Sequence, residues 1–543
     1  MRALLTGLVA LVVASGCSAS SLSGMASTQA GPRPGGRVTE AVVGNVLTLN
    51  PLFEQNGNDQ DIDSLVYQGL TTVGPDQSST PLLAKSWTVS KDGLTYTCVL
   101  KSGVRWADGQ PFTADDVIFT YGVLQSKDYQ VPTDQYWKAI QVAKVDSSTV
   151  QFTLKAPSAA FPLALRQGII PMHVFDGKTV AQITSDAHSG GKAFGTGPFK
   201  VASISRDRRS VALDRNPYAN PKPYLDHFDF RGFASLADAV DAVSRGDADA
   251  VGALQPPSQL ASSLDKRPDL AIHQIKTYSF AAVLLSLSPD QAAYFNPATV
   301  RAAMSRAVDR QKIVTDILGG RADVAFGPIP PSDWSYSRDP AAKLSYDPQA
   351  AGAMLDAAGW VLNPETQLRE RGGKPFSVTL VTSDEPPWGQ VAQSVSSQLK
   401  RIGVDARVTV VSAAALVSKY VMPKQFQMAL TVFDNGPDPD QYSLWHSGAP
   451  SDAFNLGGYL PRQALIDKDL EDGRAAPDRK TRKAAYADFQ NLMADAAPAI
   501  FLVSPHYVYL VSTRVHGVRT NPVIEAVDRF QYVSAWSVNP SGV

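Results

Sequence analysis

Pro81-Leu82-Leu83-Ala84-Lys85-Ser86-Trp87, then Asp92-Gly93-Leu94-Thr95-Tyr96-Thr97, then Gly103-Val104-Arg105-Trp106-Ala107-Asp108-Gly109-Gln110-Pro111-Phe112-Thr113-Ala114-Asp115-Asp116-Val117 is the stretch on which the fold turns. Residues 86–90 and 94–100 alternate apolar and polar side chains, the pattern of half-buried strands. Cys98 lies in the second run and reads as a small core residue. Trp106-Ala107-Asp108-Gly109 reads as a tight turn after a strand, with Gly109 free to take positive φ. Thr113 is placed to cap a helix whose first turn carries Asp115 and Asp116, acids that favour the positive helix end. Trp87 and Trp106 read as packing aromatics rather than ligand platforms.

Outward from this stretch, strand and helix patterns interleave without an internal repeat. Residues 37–48 and 149–155 read as strands, and residues 59–69 have helical spacing with Ile62, Leu65 and Val66 apolar. Longer helical patterns cover 297–318, 345–359 (closed by Gly359), 388–402 and 478–496, and the third is followed by a strand over 404–411. Strands mixed with crossover helices predict α/β layers. A chain of 543 residues exceeds what one core supports, so two or more lobes are expected. Lys plus Arg total 50 against 51 Asp plus Glu, so nothing marks a nucleic-acid surface. With two cysteines, Cys17 and Cys98, no disulfide framework or thiolate metal site is expected.

The beginning of the chain says where it works. Met1-Arg2 is followed by residues 3–15, apolar or small throughout, and then by Gly16-Cys17. These thirteen residues are too few to span a hydrocarbon core, which needs about 20. Residues 1–16 therefore read as a secretory signal. Ala14-Ser15-Gly16-Cys17 resembles the lipobox of bacterial lipoproteins, departing from it in having Ala14 where Leu or Val is usual. The resemblance implies acylation of Cys17 and a lipid anchor on the outer face of the cytoplasmic membrane. Residues 17–36 are rich in Ser, Gly, Ala, Pro and Thr, with Arg33 the only charge, and read as a flexible tether.

The opening stretch, together with Gly195-Thr196-Gly197-Pro198-Phe199, Arg215-Asn216-Pro217-Tyr218, Val300-Arg301-Ala302-Ala303, Ala307-Val308-Asp309-Arg310 and Ala358-Gly359-Trp360, resembles the peptide- and nickel-binding family of extracytoplasmic solute-binding proteins of ABC transporters. The likeness covers nearly the whole mature chain. It implies a bilobed, periplasmic-binding-protein-like α/β fold of three domains, with a ligand cleft between two lobes. The expected parts are a discontinuous lobe I (37–78, 168–282 and 506–543), an accessory domain II (79–167) and lobe III (283–505). Two strands crossing between lobes I and III would form the hinge. The implied role is a monomeric lipoprotein that binds oligopeptides and delivers them to an ABC permease, with no cofactor and no nucleic-acid partner.

Catalytic signatures are missing. The seven histidines are scattered, and there is no His-Glu-x-x-His, no Gly-x-Ser-x-Gly and no phosphate loop ending in Lys. The loop Asp434-Asn435-Gly436-Pro437-Asp438-Pro439-Asp440 lacks the spacing and closing Glu of a calcium loop. It follows an apolar strand pattern ending in Val432-Phe433. By resemblance to dipeptide-binding members, Asp434 receives the ligand's α-ammonium, while Val432, Phe433, Asn435 and Gly436 flank the ligand backbone. The competing role for Asp434 is to cap a helix starting near Gln441. The loop Ser383-Asp384-Glu385-Pro386-Pro387-Trp388 carries acids and no cation where the family's carboxylate-binding arginine is expected, so Arg166 is the candidate for that clamp. Trp388 and Tyr278 are candidate side-chain platforms. Two other readings stand beside the peptide one: the same fold holding haem, an oligosaccharide or a nickel chelate (the last through a histidine such as His446), and a secreted hydrolase.

Overall fold

The computed structural model describes residues 32–130, 134–189, 193–254, 267–288, 292–436, 438–449, 455–520 and 525–538. Cys17, the signal segment, most of the tether and Pro437 lie outside the described residues.

The opening stretch folds into an antiparallel four-stranded sheet in the order Ala84–Val89, Thr95–Leu100, Thr149–Thr153, Gln141–Asp146. Alternation sends Tyr96, Cys98 and Leu100 to the buried face, where they join Val150 and Phe152 in one apolar core. Thr113 closes a capping box on the helix Ala114–Leu124: its hydroxyl accepts from the Asp115 N–H (3.3 Å), and Asp116 Oδ2 accepts from the Thr113 N–H (2.9 Å). Trp106 is fully buried against Phe112, and Gly109, at φ +94°, makes the turn behind it.

A twelve-stranded sheet organises the rest. Its main path runs Asp405–Val411, Ser377–Ser383, Met428–Asp434, Ser279–Leu285, Ala499–Ser512, Ala250–Leu254, Arg37–Val43, His227–Phe233, Ser210–Arg215, Phe199–Ile204. The strand Ala499–Ser512 joins the two lobes. Its first half pairs with Ser279–Leu285 and Ala322–Val324, and its second half with Ala250–Leu254 and Leu270–Lys276. The segment from Leu270–Lys276 through Thr277 and Tyr278 into Ser279–Leu285 makes the same crossing in the opposite sense.

Ser279–Leu285 is buried on both faces, which is why it reads as a continuous apolar run. Ala281, Val283 and Leu285 face a layer with Val300, Leu380 and Val391. Phe280, Ala282 and Leu284 face the opposite layer, with Trp445, Phe489 and Phe501. The protein is thus a bilobed α/β molecule, and among the described residues no helix is long and apolar enough to cross a membrane.

Several expected elements are shorter than their sequence patterns: the helix over 59–69 ends at Val66, and the one over 345–359 runs from Pro348 to Ala357. The helical run 297–318 is two helices, Ala298–Arg306 and Arg310–Asp316, because Asp309 leaves helical geometry and its carboxylate caps the second by accepting from the Lys312 N–H (3.0 Å). The strand expected over 37–48 ends at Val43, where Gly44 takes φ +86° and turns the chain out of the sheet.

Candidate ligand cleft

The helix Gly57–Val66 forms one wall of the cleft. Asn56 caps it, its side chain accepting from the Asp59 N–H (2.9 Å). Its far end is held by the Gly195-Thr196-Gly197 segment: a Cβ on Gly195 would lie 2.1 Å from the Val66 carbonyl oxygen, so only glycine permits this approach. Three acids point from the helix into protein, with different fates. Asp59 is satisfied by the Leu47 and Gln55 N–H groups (2.8 and 3.0 Å) and the Thr48 hydroxyl (2.9 Å). Asp61 binds the Arg529 guanidinium through both oxygens (2.8 and 2.5 Å). Asp63 is 2% exposed, and neither of its oxygens has a hydrogen-bond partner among the described residues.

Arg529 also reaches Glu40 (3.1 Å), whose other oxygen accepts from the Tyr509 hydroxyl (2.7 Å). Burial pushes the Glu40 carboxyl up to about 7 despite Arg529 and Tyr509, which favour its charge. This buried network fixes the turn Ala526–Phe530 and so carries Glu525 and Asp528 to the cleft.

Three neighbouring cavities lie along the wall. The largest, about 730 Å³, is bounded by Glu54, Asp63 and Tyr67 on one side and by Asp438, Asp440 and Arg474 on the other. A second, about 620 Å³, shares Ser64, Tyr67, Arg166 and Val527 with it. A third, about 400 Å³, shares Gln60, Glu525 and Val527 with the first and is bordered by Asp434.

Asp434 ends the strand Met428–Asp434, opposite Ser279. The ladder from this strand to Ser377–Ser383 stops at Ala429, so over residues 431–434 its strand partner is Ser279–Leu285 alone, among the described residues. Val432 and Phe433 are half-buried on opposite faces, with the Phe433 ring stacked on Phe280 at 5.1 Å. The Asp434 carboxylate accepts from the Gly436 N–H (3.1 Å), and Gly436 takes φ +63°. Asn435 donates to the Pro328 carbonyl (2.7 Å), which ties down the loop. Desolvation by the cleft walls holds the Asp434 carboxyl above the usual range, with the Asp528 charge adding to the effect. The competing capping role is not seen: the short helix Tyr442–Trp445 has no side-chain cap at Gln441, and the nearest acid bonded to it is Asp440, which accepts from the Tyr442 N–H (3.0 Å).

Other candidates are placed differently from expectation. Trp388 is buried at the start of Trp388–Lys400 in a core with Val391 and Phe376, and borders none of these cavities. Tyr278 is packed between Val73 and Leu163 at 1% exposure, so it offers no platform to a ligand. Arg166 does reach the cleft, but its guanidinium is ion-paired with Asp528 and lies 3.8 Å from Glu525, so it is not a free anion clamp. His446 is buried, with Nε2 3.1 Å from Glu471 and Nδ1 accepting from the Gly448 N–H (2.9 Å), so both ring nitrogens are engaged. Among the described residues no group of three metal-ligating side chains converges.

Sequence reasoning missed the helix acids and the ion pairs of the opposite wall. These pairs are Asp438 with Arg482 (2.5 Å) and Asp440 with Arg474 (2.7 Å). The i, i+4 spacing of Asp59 and Asp63 around Ile62 was the available signal, because it sets carboxylates on an apolar helix face.

Residues 79–455 match the family described as bacterial extracellular solute-binding proteins, family 5 (middle). The chain is 28% identical over 523 residues to the oligopeptide-binding protein AppA of Bacillus subtilis (strain 168), covering 95% of each. The structure of that protein with a nonapeptide superposes with a TM-score of 0.74 at 26% identity, over 94% of this chain and 100% of the other. Protein XP55 of Streptomyces lividans is 31% identical over 477 residues, which is 87% of this chain and 84% of the relative. NikZ of Campylobacter jejuni, solved with Ni(L-His), has a TM-score of 0.75 at 25% identity, over 92% of this chain and 99% of the other. With a bilobed fold, a cleft between its lobes and a family match across more than half its length, the chain belongs to the family 5 bacterial extracellular solute-binding proteins.

Proposed function

We propose that the protein binds oligopeptides in the cleft between its lobes and presents them to an ABC importer, held at the membrane by acylated Cys17. The observation that carries this reading is the end of the strand Met428–Asp434. Its ladder toward Ser377–Ser383 stops at Ala429, and a desolvated carboxylate follows directly, with no cation paired to it among the described residues. An extended peptide has the matching chemistry: backbone groups to continue a ladder and an α-ammonium for Asp434. A charge-assisted bond of this kind contributes about 1.5–3 kcal/mol. The binding of a nonapeptide by the Bacillus subtilis relative supports the same ligand class. Cavities of about 730 and 620 Å³ along the cleft leave room for varied, hydrated side chains, while the main chain and terminal charge supply the affinity that all peptides share.

Lobes I and III, over the residue ranges expected from the sequence, then close as a monomer about the two crossing strands. Mass spectrometry of material co-purified with the protein from its native cells tests the ligand class. Small-angle scattering and melting curves with a mixed peptide pool test closure. Ligand at a hundredfold excess over Kd stabilises by about 2.7 kcal/mol. A peptide pool that changes neither the radius nor the melting temperature overturns the reading.

A further inference from the structure

Asp63 and Glu54 are two carboxyl groups on one wall of the largest of these cavities, and neither has a cationic partner among the described residues. Every other acid bordering that cavity faces an arginine. Asp438 pairs with Arg482, Asp440 with Arg474, and Glu525 stands 3.8 Å from Arg166. The remaining cation of the lining, Lys155, is exposed at the rim. Asp63 is nearly fully buried. The Asn50 backbone N–H is close enough to favour its charge, yet no donor among the described residues completes a hydrogen bond to either oxygen. The Tyr67 hydroxyl, one helical turn on and bordering the same cavity, is also buried with no partner among the described residues. A buried carboxylate and a buried phenol left unsatisfied together are costly, and nothing about the helix requires them: its cap, its apolar face and its anchor to Arg529 are supplied by other residues.

We propose that the Glu54–Asp63–Tyr67 wall is a receptor for a cationic side chain of the ligand, the ammonium of lysine or the guanidinium of arginine. The proposal rests on the peptide reading above and names the side-chain class that the same cleft prefers. A guanidinium or ammonium supplies several N–H donors and the positive charge this wall lacks, while Tyr67 offers a third oxygen. The site is distinct from Asp434, which borders the adjoining cavity across Glu525 and Gln60. One residue of the ligand is thus positioned to present its α-ammonium to Asp434, and a nearby residue to reach the Glu54–Asp63 wall. The electrostatics agree. Burial, with the charges of Asp59, Asp61 and Glu525, pushes Glu54 up to about 8, and burial with Glu54 and Asp59 pushes Asp63 well above the usual range. Both shifts mean that a positive charge brought to this wall would favour the ionised form of its carboxyls.

Calorimetry with five-residue alanine peptides tests this, with lysine or its uncharged isostere norleucine at each position in turn and the N-terminus free. At one position lysine is expected to bind at least tenfold more tightly than norleucine. Asp63→Asn and Glu54→Gln should each bring that ratio to within about threefold while leaving norleucine affinity unchanged. Both variants should melt at or above the parent temperature at pH 8, because neither residue is an anchor of the fold. Equal affinity for lysine and norleucine at every position, with measurable binding of penta-alanine, overturns the receptor and leaves the peptide reading standing. If no peptide binds, the peptide reading fails and agmatine becomes the probe. A melting shift produced by agmatine but not by butylurea, and lost in Asp63→Asn, upholds the receptor; no shift overturns it.

Discussion

Replacing Asp434 by Asn is the sharpest test of ligand polarity in this cleft. The carboxylate ends a strand, accepts one N–H from Gly436 at 3.1 Å, and has acids, not cations, as its charged neighbours. An α-ammonium arriving there meets a charge that the protein does not compensate. The residue is exposed by area although walled by protein, so the fully buried value of about 3–5 kcal/mol is too large and the surface value of about 0–1 too small. A charge-assisted hydrogen bond of about 1.5–3 kcal/mol is the appropriate scale, corresponding to roughly 10- to 150-fold in affinity. Isothermal calorimetry on one peptide, free and N-acetylated, should show that ratio in the parent and a ratio within about threefold in Asp434→Asn. The melting temperature of the empty protein should hardly move, because the carboxylate bonds only its own loop. The preference should fade as pH falls, and do so at a higher pH than an ordinary aspartate would require, since desolvation and Asp528 hold the Asp434 carboxyl up and its protonated form carries no charge for the ligand. Equal affinity for free and acetylated peptide in the parent would refute the role assigned to Asp434.

Arg529→Ala strips Asp61 and Glu40 of their shared cation in a site where Arg529 and Glu40 are almost wholly buried, and should cost about 3–5 kcal/mol by chemical denaturation; a loss below about 1 kcal/mol contradicts the anchoring role. Glu40→Gln tests the linkage of that network to pH. The folded chain keeps a proton on Glu40 up to about pH 7, whereas the unfolded chain releases it near 4.5, so Glu40 lowers stability progressively as pH rises between these values. The variant should lose that decline, so that its melting temperature gains on the parent from pH 5 to pH 8, with no gain meaning that Glu40 is ionised throughout. Cys17→Ala should leave the protein uncut or released from the membrane fraction, and normal processing and fractionation would rule out the lipid anchor.

Local chemistry made much of the fold legible. Thr113 with Asp116 three residues on is a complete capping instruction within four residues, and Tyr96, Cys98 and Leu100 state which face of their strand is buried before any partner is known. Asp309 shows where a local pattern misleads. Apolar residues continue at helical spacing from Val300 to Leu318, yet one carboxylate able to cap makes two short helices out of one long one. The candidate aromatics failed for a different reason. A tryptophan opening a helix has the same sequence surroundings whether it lines a cleft or packs beneath a sheet. Trp388 does the second because the strands beside it bring Phe376 and Leu380 to its helix. Tyr278 ends in the core because the crossing strands lay it against Val73 and Leu163, residues far off in the chain.

Charge in the cleft is least legible because its partners are the most remote. Arg166 presents itself in sequence as a lone cation in an apolar run, and only folding supplies Asp528, 362 residues away, to occupy it. The helix Gly57–Val66 makes the same point with three acids spaced two apart. The spacing of Asp59-Gln60-Asp61-Ile62-Asp63 sets Asp59 and Asp63 on one face but does not say which acid finds a partner: Asp59 is satisfied locally by residues within twelve positions, and Asp61 is claimed by Arg529 across 468 positions. Asp63 is left over. That is a property of the assembled wall rather than of the helix: Asp61 and Asp63, two positions apart, lie about 200° apart around its axis, so the cation that the turn Ala526–Phe530 brings to Asp61 does not serve Asp63. The face of the helix that meets the turn Ala526–Phe530 therefore decides which carboxylate is paired and which has no cation among the described residues.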